Sequence, residues 1–445
     1  MHDELPSMLT GGEPARLFPV LADTSKEGRA TSVLLASMAI VDDLSKTMLA
    51  TVGQRTGVRT RVRTFTEVVP ANMPDVIAGR PDGLVVVETG RRSWSALIEA
   101  KVRRARLDAD QIETYLKLAK ANRIDAVVTV SNEFAAVPHH HPVRKLRIPK
   151  GVGLFHWSWT SILTHAKVLL ADKDVDDREQ RFLLGELVRF LEHGSTGVMR
   201  FDRMNGNWKD IVGSVVSGAP LSDADAVADT VANWHQECRD LALKLMEEVN
   251  SKVSIRLPRA HLNDAHRRVL DEGEKLRRDA TLEVEFVVPD AAAPIKVEAD
   301  LRARSIHVHM TLRAPRDRRS ARARTNWLVR QLSSSKPDDL HVKADYPNRR
   351  YDPQDTLAAV RANPDVLRHE NASIAPSAFE VRMVRDAGHR FAGAKTFVDE
   401  VDATVLRFYA EAGQRLKNWQ PTAPKMAAPP YAGTEEPGDT EQAAD

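Results

Sequence analysis

The feature that most constrains this chain is a pair of apolar runs that are joined by a polar segment and flanked by acidic residues. Leu84 to Val87 and Trp94 to Ile98 are apolar and rich in β-branched residues, and the segment between them, Glu88 to Ser93, is polar. This pattern predicts a β-hairpin with a tight connection. Because a hairpin brings its two ends back to one edge, we expect Asp82, before the first strand, and Glu99, at the end of the second, to converge.

Two converging carboxylates beside a lysine are suited to hold a divalent cation. Mg²⁺ takes oxygen ligands and keeps several waters, so one or two carboxylates at a strand end are enough to hold it. Alternate residues of a strand share a face, so Lys101 is expected on the same face as Glu99, with Ala100 turned the other way. The pattern therefore predicts a metal site with an ammonium group beside it.

The segments around the hairpin predict a defined order of elements. Thr24 to Met48 has the apolar stripe of a helix, and Val58 to Val69 alternates as a strand. After the hairpin, Asp108 is placed to cap a second helix, and Ile124 to Val130 has the composition of a short buried strand. The expected order is α-β-β-β-α-β.

This order, with acids at the ends of the hairpin, resembles the core of the PD-(D/E)XK nucleases. Gln111 and Tyr115 lie four residues apart and share a helix face, and they resemble the Gln-x-x-x-Tyr element of RecB-like and related nucleases. Residues 131–134 (Ser-Asn-Glu-Phe) and 156–159 (His-Trp-Ser-Trp) resemble the closing elements of nuclease-like bacterial proteins. The resemblance covers residues 1–200.

The resemblance implies a metal-dependent nuclease that hydrolyses DNA phosphodiester bonds, with Mg²⁺ as cofactor and Mn²⁺ as a substitute. Asp82, Glu99 and the backbone carbonyl of Ala100 would hold the metal, and Lys101 would orient the attacking water or neutralise charge on the phosphate. Gln111 and Tyr115 would support the lysine and contact DNA. By analogy the biological role would be phage defence, restriction, repair or stress response. The alternative is a catalytically silent module that uses the fold to bind nucleic acid or protein.

Each of these residues also has a purely structural interpretation. Asp82 before Gly83 is typical of a turn, and Glu99 and Lys101 are compatible with a solvated strand edge. Gln111 is three residues after Asp108 and is compatible with a capping-box partner, which would leave Tyr115 as a core residue. Glu27 has two interpretations as well: partner of Thr24 in a capping box, or a metal ligand from the first helix.

Length and composition set the wider frame. A chain of 445 residues is long enough for two or three domains, and we expect an α/β fold: a nuclease-like domain (1–200), a helical region (201–280), a smaller α+β domain (281–419) and a disordered acidic tail (420–445). Within the α+β domain, alternating apolar residues predict a small sheet over Thr281 to Leu312, and Phe397 to Trp419 is expected to form a final helix. A single cysteine excludes an intramolecular disulfide framework and fits a reducing compartment. The N-terminus lacks a signal-peptide pattern and no stretch approaches a membrane span, so we expect a cytoplasmic protein.

Partners are suggested by charge and by missing motifs. Residues 313–330 hold seven arginines against one acid, a density that nucleic-acid phosphates would satisfy, although a solvated helix face is the equal alternative. The predicted nucleic-acid contacts there are Arg316, Arg318, Arg319, Arg322 and Arg324. Arg103, Arg104 and Arg106 are also predicted to contact nucleic acid, and because they are close to Lys101 they are better placed to meet a substrate backbone. The chain has no phosphate-binding loop for ATP, so an ATPase or helicase would be a separate partner. Homo-oligomerisation stays open.

Histidines invite a metal interpretation that the sequence does not favour. His139, His140 and His141 are adjacent and cannot all turn to one ion without an unusual loop, so a structural or solvent-exposed loop is expected. His307 and His309 share a strand face, but no third ligand is identifiable.

Overall fold

The chain is a mixed α/β protein with two open sheets. The computed structural model describes residues 5–19, 21, 25–72, 80–135, 137–143, 146–172, 174–336, 339–347, 352–371 and 373–420. Thr24 and the predicted acidic tail after Gln420 lie outside these ranges. Within them, no helix combines the length and the apolar character needed to cross a membrane.

The first sheet has six strands in sequential order. Its strands are β1 (Leu9–Pro14), β2 (Thr60–Pro70), β3 (Gly83–Thr89), β4 (Arg92–Ala100), β5 (Ala126–Ser131) and β6 (Gly153–Ser158). β1 to β4 are antiparallel neighbours, whereas β4, β5 and β6 run parallel. The carboxyl ends of three strands therefore meet at one edge, which is the edge that carries Glu99.

The predicted hairpin is confirmed, with a shorter turn than the polar segment suggested. β3 and β4 pair up to Thr89 and Arg92, so only Gly90 and Arg91 form the connection. Gly90 adopts a φ of 61°, in the left-handed region that two-residue hairpin turns require. The polar residues on either side belong to the strands because their backbone groups are paired there.

Helices cover both faces of this sheet. They are α1 (Lys26–Ile40), α2 (Asp42–Thr51), α3 (Ala109–Ala121), α4 (Trp159–Ala171) and α5 (Arg178–Glu192). On one face α1, α2, α4 and α5 bury an apolar core with the strands, and on the other face α3 does so through Ile112, Tyr115 and Leu116. Asp108 caps α3 as predicted, accepting a hydrogen bond of 2.8 Å from the Gln111 N–H.

The first predicted helix is divided in two, so the expectation of one continuous helix is wrong. Val41 has extended backbone angles (φ −96°, ψ 101°) and is fully buried. The break turns this side chain into the core, and the Asp42 N–H donates to Gln180 Oε1 of α5 at 2.9 Å. Tertiary packing thus overrides a periodicity that runs across the break.

The second sheet is antiparallel and larger than the small sheet predicted for residues 281–312. It has seven strands in the order β12-β11-β13-β10-β9-β8-β7. Its strands are β7 (Ser254–Ile255), β8 (Thr281–Val287), β9 (Ile295–Asp300), β10 (Ser305–Arg313), β11 (Leu340–Asp345), β12 (Gln354–Thr356) and β13 (Ala378–Asp386).

The helices of the second half share one core with this sheet. They are α6 (Trp208–Ser217), α7 (Ala224–Val249), α8 (Arg259–Asn263), α9 (Ala265–Asp279), α10 (Ala321–Gln331), α11 (Leu357–Ala362) and α12 (Ala394–Phe408). Trp208, Trp234, Phe286 and Phe397 lie in the same apolar cluster. The helices of the region 201–280 are therefore packed against the strands that follow them. The predicted final helix ends earlier than Trp419, at Phe408, before a π-helical turn.

Close packing of α1 on the sheet gives a testable expectation for stability. A Cβ atom on Gly83 would lie 2.5 Å from Leu35 Cδ1 and 2.9 Å from the Phe65 carbonyl oxygen. We expect Gly83→Ala to lower the free energy of unfolding by about 1 to 3 kcal/mol, because backbone must move to admit the methyl group. Urea denaturation followed by circular dichroism measures this. Gly185→Ala is the matched control: this site lies in α5 with open space around it, so stability should hold or rise by about 1 kcal/mol.

Candidate functional site

Asp82 and Glu99 meet at the base of the hairpin. The Ala100 N–H donates a hydrogen bond of 2.7 Å to Asp82 Oδ2, which ties the residue before β3 to the last residue of β4. The register pairs Gly83 with Ile98, so Asp82 lies beside Glu99 across the two strands. The convergence expected from the hairpin pattern is present in the structure.

Lys101 joins these acids. Its Nζ lies 2.6 Å from Glu99 Oε1 and 3.5 Å from Glu27 Oε2. Glu99 is only 2% exposed, and its Oε2 atom is buried without a hydrogen-bond partner among the described residues. We call Glu27, Asp82, Glu99 and Lys101 the carboxylate cluster. Three acids surround one ammonium group, so the cluster has fewer positive groups than acidic ones.

Glu27 reaches the cluster from the first turn of α1. Its partner in the predicted capping box, Thr24, lies outside the described residues, and Ser25 at the helix N-cap makes no side-chain capping bond. The ion pair with Lys101 brings the Glu27 carboxylate to the edge of the cluster.

Gln111 and Tyr115 form a chain of hydrogen bonds beside the cluster. Gln111 Nε2 donates to the Tyr115 hydroxyl at 3.1 Å, and this hydroxyl donates to the Arg80 carbonyl at 3.1 Å. Tyr115 is buried in the core under α3. The pair thus anchors the segment that leads into Asp82. The Gln111 side chain turns to Tyr115, while its backbone N–H receives the cap from Asp108.

The charges in the cluster shift one another's protonation. Burial, and then the Glu99 carboxylate, raise the pKa of Asp82 to about 7. Burial also raises the pKa of Glu99, although the hydrogen bond from Lys101 opposes this. Burial disfavours the charged form of Lys101, but the hydrogen bond and charge of Glu99 outweigh it and raise the pKa of Lys101 above its usual value. Burial and Glu99 raise the pKa of Tyr115 to about 12.

The backbone around Lys101 is fixed from two sides. Its N–H donates to the Val130 carbonyl at 2.8 Å, and its carbonyl accepts from Trp159 Nε1 at 2.9 Å. Trp159 stands in the sequence segment that resembles a nuclease closing element, but nothing in the sequence indicated that its indole holds the lysine. The contact exists because α4 follows β6 directly and starts beside the end of β4.

Of the arginines predicted to contact nucleic acid, some are exposed to solvent and others bind groups within the protein. Arg103, Arg104 and Arg106 are exposed just after Lys101. In the second half, Arg316 and Arg319 are exposed, whereas Arg318 is partly buried.

The remaining two, Arg322 and Arg324, make contacts within the protein. Arg324 donates to the carbonyls of Arg318 and Pro376 at 2.7 Å each, and Arg322 pairs with Asp365 at 3.0 Å. The structure does not bring this segment to the carboxylate cluster.

The side chains of the three histidines at positions 139–141 lie within hydrogen-bond distance of other parts of the chain. His139 Nε2 and His140 Nε2 lie 2.9 and 2.8 Å from the Leu262 carbonyl, and His141 Nε2 lies 2.8 Å from Thr129 Oγ1. Burial lowers the pKa of His141 to about 3, so the ring is neutral. His307 lies beside Ser305 Oγ at 2.8 Å.

The donor set of the cluster fits a hard divalent cation. Over the described ranges, no group of three or more His, Cys, Asp and Glu side chains is already arranged around one point as metal ligands, but Mg²⁺ needs only one or two carboxylates. Glu99 Oε2 is a buried oxygen without a partner, and burial, followed by the Glu99 carboxylate, raises the pKa of Asp82 to about 7. Both observations fit a cation at this position.

Comparisons with protein-family models, curated proteins and solved structures give no match to this chain. The function of this chain is therefore inferred from the geometry of the carboxylate cluster.

The raised pKa of Asp82 predicts how stability depends on pH in the absence of metal. Folding favours the protonated carboxyl, so its stabilising contribution is full below about pH 4 and is lost as pH rises through about 7. We expect Asp82→Asn, which stays neutral, to gain stability relative to the parent protein between pH 4 and 7, by up to about 4 kcal/mol. Urea unfolding across this range, with chelator present, measures the difference. A constant difference between the two proteins at all pH values would contradict the assignment.

Proposed function

We propose that this protein is a metal-dependent nuclease that hydrolyses DNA phosphodiester bonds at the carboxylate cluster. The observation that carries the proposal is the convergence of Asp82, Glu99 and Lys101 at one strand edge, with Glu99 Oε2 buried and unpartnered. Phosphodiester hydrolysis needs a cation to bind the phosphate and a charged group beside the attacking water. The cluster offers ligands for the first and an ammonium for the second.

The order of elements supports the same class. α1, β2, β3, β4, α3 and β5 follow one another as α-β-β-β-α-β, apart from the break that separates α2 from α1. This is the core order of the PD-(D/E)XK fold that the sequence resembles. The acids lie at the end of β4, where that fold carries its active site, and the Gln111–Tyr115 pair lies on the following helix.

Asp82 and Glu99 would hold Mg²⁺ or Mn²⁺, with the Ala100 carbonyl and Glu27 as the further oxygen ligands nearest to them. A bound cation polarises the phosphoryl group and lowers the pKa of a coordinated water. Asp82 must lose its proton for this role, so metal affinity should rise with pH through the pKa of Asp82.

Lys101 acts as a cation in this scheme. Because the surrounding carboxylates raise its pKa, it stays protonated at neutral pH and is unsuited to remove a proton from water. It would instead donate hydrogen bonds to the phosphate or the attacking water and balance negative charge there. Trp159 and Val130 hold its backbone and thereby limit the positions that its ammonium group can reach.

Removal of the Asp82, Glu99 or Lys101 side chain should abolish metal-dependent cleavage. We expect Asp82→Ala, Glu99→Ala and Lys101→Ala each to reduce the cleavage rate by at least about 100-fold, because each loses a metal ligand or the nearby cation. The assay incubates linear, circular and single-stranded DNA with Mg²⁺, Mn²⁺ or chelator. Lys117→Ala, an exposed lysine of α3, is the matched control and should cut at the parental rate.

The same assay separates the nuclease from the alternative function. If Lys101→Ala cut DNA as fast as the parent, the catalytic assignment would be wrong. If the parent bound DNA but cut none of the substrates with either metal, the silent binding module would be the better description. Cleavage of circular DNA would identify an endonuclease, since an exonuclease needs an end.

Metal binding can be measured without catalysis. We expect Mg²⁺ or the hard cation Ca²⁺ to raise the melting temperature of the parent protein at pH 8, because binding to the folded state stabilises it. The increase should shrink as pH falls below 7, where Asp82 is protonated. Asp82→Asn and Glu99→Gln should lose the increase. Asp110→Asn, which changes an acid in the first turn of α3, should retain it, and equal increases in all four proteins would exclude the cluster as the metal site.

A further inference from the structure

A groove with arginines along its wall begins two residues after Lys101. It has a volume of about 320 Å³ and is lined by Arg103, Arg104, Asn132, Met199, Arg200, Phe201, Asp202 and Arg203. The first three of these residues follow β4 and β5, and the others belong to the segment that connects α5 to α6. We call it the junction groove because it lies where the two halves of the chain meet: the Met204 N–H donates to the Ala394 carbonyl at 3.1 Å.

The wall of the groove is held in place by one amide side chain. Asn132 Nδ2 donates to the carbonyls of Arg103 and Gly197 at 2.9 and 2.8 Å, and Asn132 Oδ1 accepts from the Met199 N–H at 2.9 Å. The Arg103 N–H also donates to the Gly197 carbonyl at 2.8 Å. Together with the two hydrogen bonds at the Lys101 backbone, these six contacts would keep the groove and the cluster in a fixed relation.

The backbone here adopts conformations that are unusual for their residue types. Arg103 has a φ of 59°, in the left-handed region that residues other than glycine rarely occupy. Gly197 opposite has a φ of 84°, and a Cβ on it would lie 2.6 Å from Arg103 Cγ. Backbone strain of this kind persists only where surrounding contacts enforce it, and it concentrates at functional sites.

The charge of the groove is positive. Arg103 and Arg104 are exposed and lie within 4 Å of no carboxylate in the described part of the chain. Asp202 is the acidic side chain in the lining, and Arg203 pairs with it through two hydrogen bonds of 3.1 and 2.7 Å. Arg200 is turned away to Asp240 and Glu247. The charge of Arg104 also helps to lower the pKa of Asp202, but neither Arg103 nor Arg104 forms an ion pair among the described residues, so both guanidinium groups are available to an anion from outside.

We propose that the junction groove binds the sugar-phosphate backbone of a polynucleotide strand on one side of the carboxylate cluster, through Arg103 and Arg104. This inference rests on the proposed nuclease function and adds to it the path of the substrate. Two residues of chain reach at most about 7 Å, and phosphates of one strand follow each other at about 3.4 Å along the helix axis. The groove thus begins close enough to the cluster to bind a neighbouring phosphate of the same strand. Arginine suits this task because its planar fork makes two hydrogen bonds to a phosphate.

Binding in chelator tests the proposal without any cleavage. The affinity of fluorescein-labelled duplex DNA, single-stranded DNA and duplex RNA of arbitrary sequence is measured by anisotropy between about 50 and 200 mM salt. The variant is Arg103→Gln with Arg104→Gln. The matched control is Arg91→Gln with Arg92→Gln, which removes two exposed arginines from the opposite end of the same hairpin.

We expect the groove variant to bind the preferred polynucleotide more weakly, with a slope of log K against log salt that is flatter by up to about 1.8 on duplex DNA, or 0.9 for each lost contact. The control should keep the parental slope. The three ligands show whether duplex DNA, single-stranded DNA or RNA supplies the phosphates.

The outcomes separate this inference from the nuclease proposal. An unchanged slope in the groove variant, or no binding of any polynucleotide by the parent, would overturn the proposal for the groove. The nuclease proposal would still be judged separately, by the cleavage rates of the Asp82, Glu99 and Lys101 variants. A flattened slope in the groove variant, together with a parent protein that cuts nothing, would support the groove and refute the nuclease. Equal flattening in the variant and in the control would mean that the protein responds to net charge alone, and would also overturn the proposal.

Discussion

The hydrogen bond from the Ala100 N–H to the Asp82 carboxylate is the contact on which the geometry of the site depends. It closes the open end of the hairpin and holds Asp82 against the end of β4. Glu99 and Lys101 flank the donor residue, so the same contact sets the distance of both from Asp82. Gln111 and Tyr115 support it from the far side by fixing Arg80, two residues before Asp82.

This arrangement is unfavourable for stability alone. A buried carboxylate is costly unless its oxygens are paired, yet Glu99 leaves one oxygen without a partner and has two further acids nearby. One lysine cannot balance three acids, and the Glu99 carboxylate adds to burial, which is the larger cause, in raising the pKa of Asp82. A cation at the cluster would reduce the repulsion among these acids.

Polar contacts join the two halves of the chain. His139 and His140 contact the Leu262 carbonyl, and Arg200 pairs with Asp240 and Glu247 of α7. Two apolar cores lie on the faces of the first sheet and a third surrounds the second sheet, and Phe134 and Val168 of the first half pack into this third core. The segment after α5 is thereby fixed against both halves, which is why it can form one wall of the junction groove.

Local pattern made much of the site predictable. The hairpin, the cap of Asp108, and the shared face of Gln111 and Tyr115 follow from residues close together in sequence. The break at Val41, the added strands β1 and β11 to β13, and the inward turn of Arg324 were not predictable in this way. Each depends on a partner far along the chain, such as Pro376 for Arg324.

The sequence by itself therefore determined the types of most elements and placed two acids and a lysine at the ends of one hairpin, because periodicity and capping act between near neighbours. Only the tertiary structure decided that Glu27 reaches Lys101, that Trp159 holds the lysine backbone, and which arginines face solvent. These outcomes depend on how helices dock on the sheet, and docking is governed by the summed packing of side chains distant in sequence.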